Sequence, residues 1–308
     1  MAYHSLLLVI LSLWWTSASP REWGTRWISH PEANDSSQVW FRKSVKTPVA
    51  LSKGFITVAS NGYFRLYVNE RNVTIDPFLN YADSLPGIIH QYTFDVTRFL
   101  DNRENTIAVW YAPRTERHSD KQLSLDFYGE DMLGKRFFMQ ADGTWQCKEA
   151  CAFSLPNGRE EIDGQVYYSK WNSPDDNDKS WTHPIDSSDS SSALLFTTSP
   201  HYEGIKVRQV LNSTEVTRDS TSITYDFGRP FRGWVRITFR NAHKGERIEF
   251  GNHSYTCGSR MDEQAFPRFT VTDQRFVTII GDDKFRHEQI QSVEGLEIDT
   301  YLHMHYVY

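Results

Sequence analysis

The chain has 308 residues, with 33 Lys and Arg against 39 Asp and Glu and a formal net charge of −6. That balance lacks the clustered basic footprint of a nucleic-acid binder, and 39% hydrophobic with 23% charged residues excludes wholesale disorder. Ten Trp, fifteen Tyr and nineteen Phe lean the chain towards β structure, and its length suits about two domains at roughly 150 residues each.

The N-terminus reads as a secretory signal. Leu6 to Trp15 is an apolar run, LLLVILSLWW, of signal length and too short to span a bilayer. Thr16 and Ala18 fit small-x-small cleavage, which predicts a signal peptide over 1–18, removal after Ala18 and a secreted, extracellular product without stable membrane insertion. The alternative is an uncleaved anchor. Asn34-Asp-Ser, Asn72-Val-Thr, Asn212-Ser-Thr and Asn252-His-Ser are acceptors for N-glycosylation in a secreted glycoprotein.

Three cysteines cannot all pair internally. Two readings stand side by side: a Cys147–Cys151 bridge across a turn with Cys257 left over, or three buried, reduced thiols.

From residue 39 onward, strand-sized apolar stretches alternate with turn residues, and no long helical period appears. In Tyr63-Phe-Arg-Leu-Tyr-Val, Tyr63, Arg65 and Tyr67 share one face while Phe64, Leu66 and Val68 share the other. Phe55-Ile-Thr-Val-Ala, Thr106-Ile-Ala-Val-Trp-Tyr and Gln122-Leu-Ser-Leu-Asp-Phe-Tyr continue the series, with one helical turn expected in Phe94-Asp-Val-Thr-Arg-Phe-Leu. The Ser/Asp-rich stretch Ser187 to Ser192 reads as a linker. Strands resume at Ser222-Ile-Thr-Tyr-Asp-Phe and Gly233-Trp-Val-Arg-Ile-Thr-Phe and run to Leu302–Tyr308. The expected fold is all-β: two antiparallel β-sandwich modules of jelly-roll or galactose-binding-like type, over 19–190 and 191–308.

An ordered set of phrases resembles the accessory N-terminal modules of the bacterial-type α-L-rhamnosidases. It comprises Trp27-Ile with Trp40-Phe-Arg-Lys, Gly62-Tyr-Phe-Arg-Leu-Tyr-Val-Asn69, and Tyr92-Thr-Phe-Asp-Val-Thr-Arg-Phe-Leu followed by Glu104-Asn-Thr-Ile-Ala-Val. Ala141-Asp-Gly-Thr, Asp163-Gly, Trp171…Asp178-Lys-Ser-Trp181, Tyr225-Asp-Phe-Gly…Gly233-Trp-Val-Arg-Ile and Phe285-Arg-His continue it from about 27 to 305. Glu70 stands where the family's turn has Gly, and Gln165 where it often has Glu. The resemblance implies two β-sandwiches, the second concanavalin-like. It implies no catalytic residues here, because the family's hydrolytic carboxylates lie in an α/α-barrel that would begin about where this sequence ends.

Motifs for other chemistry are missing: no nucleophile elbow, phosphate loop or dinucleotide fingerprint occurs. Asp175-Asp-Asn-Asp lacks the Gly and distal Glu of a calcium loop, and His303 with His305 reads as strand surface before metal pair. Glu160-Glu161 and Asp262-Glu263 should diverge on strands. Trp40, Trp110 and Trp181 read as packing aromatics. The expected function is a secreted, non-catalytic carbohydrate-binding protein for rhamnose-containing or related glycans. Asp76, Asn80, Tyr81 and Asp83 are its candidate sugar contacts, since a sugar needs an aromatic face and fixed polar partners. No cofactor is expected beyond the calcium that some family modules use. The alternatives are the front part of a rhamnosidase working with a separate catalytic chain, and a protein-interaction scaffold.

Overall fold

The computed structural model describes residues 26–74, 76–79, 89–114, 121–187, 196–197 and 201–304, with the backbone alone at 196–197, 201–203 and 302–304. The expected signal peptide, Asn80, Tyr81, Asp83 and His305 lie outside the described residues.

The first block comprises β1 (Ile28–Ser29), β2 (Ser37–Lys46), β3 (Leu51–Ser60), β4 (Tyr63–Val68), β5 (Arg71–Asn72), β6 (Ile89–Asp95), β7 (Glu104–Ala112), β8 (Leu123–Asp131), β9 (Arg136–Gln140), β10 (Gln146–Leu155), β11 (Arg159–Asp163), β12 (Ile185–Asp186) and β13 (Phe196–Thr197). The second comprises β14 (His201–Asn212), β15 (Thr214–Arg218), β16 (Ser222–Arg240), β17 (Arg247–Phe250), β18 (His253–Thr256), β19 (Asp262–Ala265), β20 (Thr272–Gly281) and β21 (Ile290–Met304). Among the described residues the helical elements are short 3-10 turns, including Thr97–Phe99. That turn begins where the Asp95 carboxylate accepts the Thr97 N–H at 2.9 Å, the capping expected of Asp-Val-Thr.

The fold is all-β, as the alternation requires. One sheet has the order β12-β1-β8-β3-β6-β13, with β9 on β8. The other runs through both blocks in the order β14-β21-β16-β20-β17-β18-β11-β10-β2-β7-β4-β5, with β15 and β19 on β16. The blocks join where β11 pairs in parallel with β18, Ile162 opposite Tyr255. The short strand β13 still pairs with β6 of the first block, Phe196 opposite Ile89.

Each block has its own core. Phe41, Ile56, Val58, Phe64, Leu66, Val68, Val109 and Phe127 fill the first sandwich; Ile223, Ile237, Phe239, Ile248, Phe250 and Ile279 fill the second. A third cluster lies between them and holds Trp40, Trp110 and Trp171 with Phe78, Trp234 and Phe269. The Trp40 and Trp171 rings stack at 5.2 Å and 11°, and Trp110 meets Trp40 edge-on at 5.6 Å. Burying each such ring contributes roughly 1.5–3 kcal/mol, which welds the blocks. β4 shows the logic: Phe64, Leu66 and Val68 face the first core, while Tyr63 and Tyr67 pack on the inter-block cluster.

The phrase Asp226-Phe-Gly…Gly233-Trp forms the irregular middle of β16, where the register shifts between Asp226 and Phe231. Gly228 has φ +78. A Cβ on Gly233 would collide with the Leu296 carbonyl, so only glycine lets β21 approach there.

The cysteines resolve in favour of buried thiols: Cys147, Cys151 and Cys257 are free and buried. The bridged reading is not the one observed: both residues lie within β10, which continues through them as a strand with a register shift between Glu149 and Phe153 instead of closing a tight turn. They also enter different clusters, Cys147 the first core and Cys151 the inter-block one. Burial pushes both thiols up to about 12.

Candidate functional site

The junction of the blocks opens into a cleft of about 280 Å³ whose lining includes Tyr167, Tyr255, Arg260, Gln264, Phe266 and Arg268. Three segments build it: the stretch after β11, the β18-to-β19 connection and the stretch after β19. Gly164 follows β11, and glycine is needed there because a Cβ would lie 2.6 Å from the Tyr255 hydroxyl and 2.8 Å from the Thr256 carbonyl. This gives the Asp163-Gly phrase a packing reason.

Beneath the cleft, the buried Glu263 carboxylate accepts the Tyr255 hydroxyl at 2.7 Å, and the Gly258 and Arg260 N–H groups at 2.8 Å each. Burial, reinforced by that carboxylate, pushes the Tyr255 phenol far above its ordinary value, so it stays a neutral donor. Glu160, wholly buried in β11, accepts the N–H groups of Arg268 (3.1 Å) and Phe269 (2.7 Å) and the Gln38 amide at 3.2 Å. These two carboxylates are structural anchors that fix the backbone carrying both arginines.

The arginines present their guanidiniums against aromatic faces. Arg260 lies 4.8 Å from the Tyr167 ring centre. Arg268 sits between Trp110 at 4.8 Å and Phe266 at 4.7 Å. Cation–π stacking of this kind orients the flat guanidinium while leaving its edge N–H donors available. Rings, amide and guanidiniums together form a surface suited to a sugar: apolar faces for C–H groups and fixed donors for oxygens.

Of the four sugar contacts expected from the sequence, Asp76 is the one within the described residues. Asp76 is 1% exposed, and its carboxylate accepts the Ile205 N–H at 2.9 Å. This corrects its assignment as a sugar contact: the group is buried at the block junction, where it fastens the start of β14. The acidic pairs diverge as expected. Glu161 turns out to Arg159 at 2.9 Å while Glu160 turns in, and Asp262 pairs with Arg240 at 2.9 Å while Glu263 turns in. Neither forms a catalytic dyad. The Asp175–Asp178 loop is pinned by ion pairs, Asp176 to Arg42 and Asp178 to Lys148 at 2.7 Å. The Lys148 and Ser180 partners hold Asp178 down at about 2. Among the described residues no three His, Cys, Asp or Glu side chains converge to hold a metal.

Asn34, Asn72, Asn212 and Asn252 are exposed. Asn72 accepts the hydroxyl of its own Thr74 at 2.6 Å. A second cleft of about 240 Å³ is lined in part by Asn252, Thr272 and Gln274.

The cleft carries no sequence period that would reveal it. Its one local signal is Phe266-Pro-Arg268, an aromatic and a cation flanking a proline that breaks the strand.

No protein-family model matches the sequence, and no curated protein is similar to it. Solved structures are similar. The α-L-rhamnosidase of Dictyoglumus thermophilum matches with a TM-score of 0.79 and 18% identity, over 91% of this chain and 36% of that one. The Aspergillus terreus enzyme gives 0.75 and 16% over 90% and 36%. The Streptomyces avermitilis enzyme, complexed with L-rhamnose, gives 0.76 and 18% over 86% and 29%. At such identities the likeness is one of fold, and the chain spans about a third of the length of these enzymes. The chain therefore has the fold of the accessory β-sandwich modules of the α-L-rhamnosidases.

Proposed function

We propose that this protein is a secreted, non-catalytic carbohydrate-binding protein whose glycan lies in the junction cleft. The observation that carries the reading is the convergence of Tyr167, Tyr255 and Phe266 with the stacked guanidiniums of Arg260 and Arg268 on one concave surface. Fold alone does not fix function; the cleft supplies the chemistry. Residues 1–18 would direct the chain outward, and rhamnose-containing glycans are the first class to try. A glycan-array screen of the purified protein, with and without calcium, tests it. Selective glycan binding that Tyr167→Ala and Arg268→Ala reduce supports the reading; a folded protein that binds nothing overturns it.

A second reading rests on the likeness to the rhamnosidases: this module serves a glycoside-hydrolase catalytic unit. Co-purification with a glycoside hydrolase that loses activity on separation would support it.

A further inference from the structure

The charges around the cleft are unequally satisfied. Its acids are occupied: Glu160 and Glu263 accept N–H and O–H donors in the interior, Asp262 pairs with Arg240, and Asp163 accepts the Gln165 N–H at 2.8 Å. Its cations are not. Arg268 has no carboxylate within ion-pair distance among the described residues, and its guanidinium is held by ring contacts alone. Arg260 reaches the buried Glu263 only at 3.9 Å and the Tyr255 hydroxyl at 3.4 Å. Behind them, Arg65 is buried, donates to the Arg268 carbonyl at 3.1 Å and adds a like charge. A neutral sugar would leave these guanidinium edges with water. A carboxylate or sulfate offers them charge-assisted, fork-shaped partners, and this is what guanidinium recognises better than ammonium.

Resting on the carbohydrate reading above, we propose that the cleft selects an acidic glycan, with Arg260 and Arg268 holding a sugar carboxylate or sulfate. Tyr167 and Phe266 bound the ring of that sugar, and the exposed Gln264 addresses its hydroxyls. Glu160 and Glu263 are positioning residues that set the two arginine backbones.

The test compares three probes by calorimetry on the full protein: an oligogalacturonate, its fully methyl-esterified form and a sulfated oligogalactose. The esterified probe keeps the ring and hydroxyls and removes the charge. The expected result is binding of at least one acidic probe at least about tenfold tighter than the ester, the scale of one charge-assisted contact. That preference should shrink in high salt and vanish in Arg268→Gln and in Arg260→Gln, two variants made because either alone could perturb folding. Carboxylate and sulfate arms identify which anion is preferred. Equal binding of the acid and its ester overturns the inference, as does failure of both acidic probes. If neutral glycans still bind on the array, the carbohydrate reading survives that failure; if no glycan binds, both fall.

Discussion

The Glu160 carboxylate accepts the Arg268 backbone N–H at 3.1 Å across 108 residues of sequence, tying β11 of the first block to the arginine wall of the cleft. The adjacent Phe269 N–H binds the same group at 2.7 Å. Glu160→Ala would leave those two N–H groups unmatched and the Gln38 amide with Ser154 alone. The expected cost is about 3 kcal/mol, read by urea denaturation, together with weaker glycan binding by the protein that remains folded.

Arg42 and Asp176 form an ion pair with side chains 3% and 4% exposed, and Arg42 also donates to the Ser173 carbonyl at 2.8 Å. Removing one partner strands a buried charge. Asp176→Ala should lower stability by about 3–5 kcal/mol, and the double change Arg42→Met with Asp176→Leu should recover much of that loss. Chemical denaturation of the three variants checks the pattern.

Glu70 occupies a left-handed conformation, φ +67, beside Asn69 at φ +51. This is the two-residue turn between β4 and β5, where glycine is favoured at the second position. Glu70→Gly should stabilise the fold by about 1 kcal/mol, raising the melting temperature by about 2–4 °C. Its N–H bond to the Asn172 carbonyl, 3.2 Å, is a backbone contact the substitution keeps.

His253 is buried, and its Nδ1 accepts the Glu160 N–H at 3.0 Å. Burial lowers its pKa below the ordinary value, and half-buried His30 is lowered for the same reason. The unfolded chain therefore binds more protons than the native one once pH falls below about 6.5. Stability from these groups is complete above that pH and declines as pH drops towards the lowered native values. Melting curves between about pH 7.5 and 5 should show the decline, with a shallower slope in His253→Asn.

Asp76→Asn should lower thermal stability, because the group that fastens Ile205 loses its charge. It should leave the glycan affinity of the folded protein unchanged. A calorimetric titration alongside a melt separates the two effects.

Strand alternation made the β4 faces, the all-β class and the Asp95 turn legible in the sequence, because each depends on residues within one strand or turn. The inter-block core was hidden for a physical reason. Trp40 and Phe41 are adjacent and both buried, one in each cluster, and a strand apolar on both faces does not say what covers its second face. The buried role of Asp76 was hidden because its partner is a backbone N–H 129 residues away. The cleft brings two distant stretches together, 162–167 and 255–268, over buried carboxylates, so no short motif could announce it.

The most direct test of the account is a glycan-array screen of the purified wild-type protein beside Arg268→Gln, both verified as folded by melting. The account predicts selective glycan binding by the wild type and a marked loss in the variant. An array that stays blank for a folded wild type, or binding that Arg268→Gln leaves intact, would contradict it.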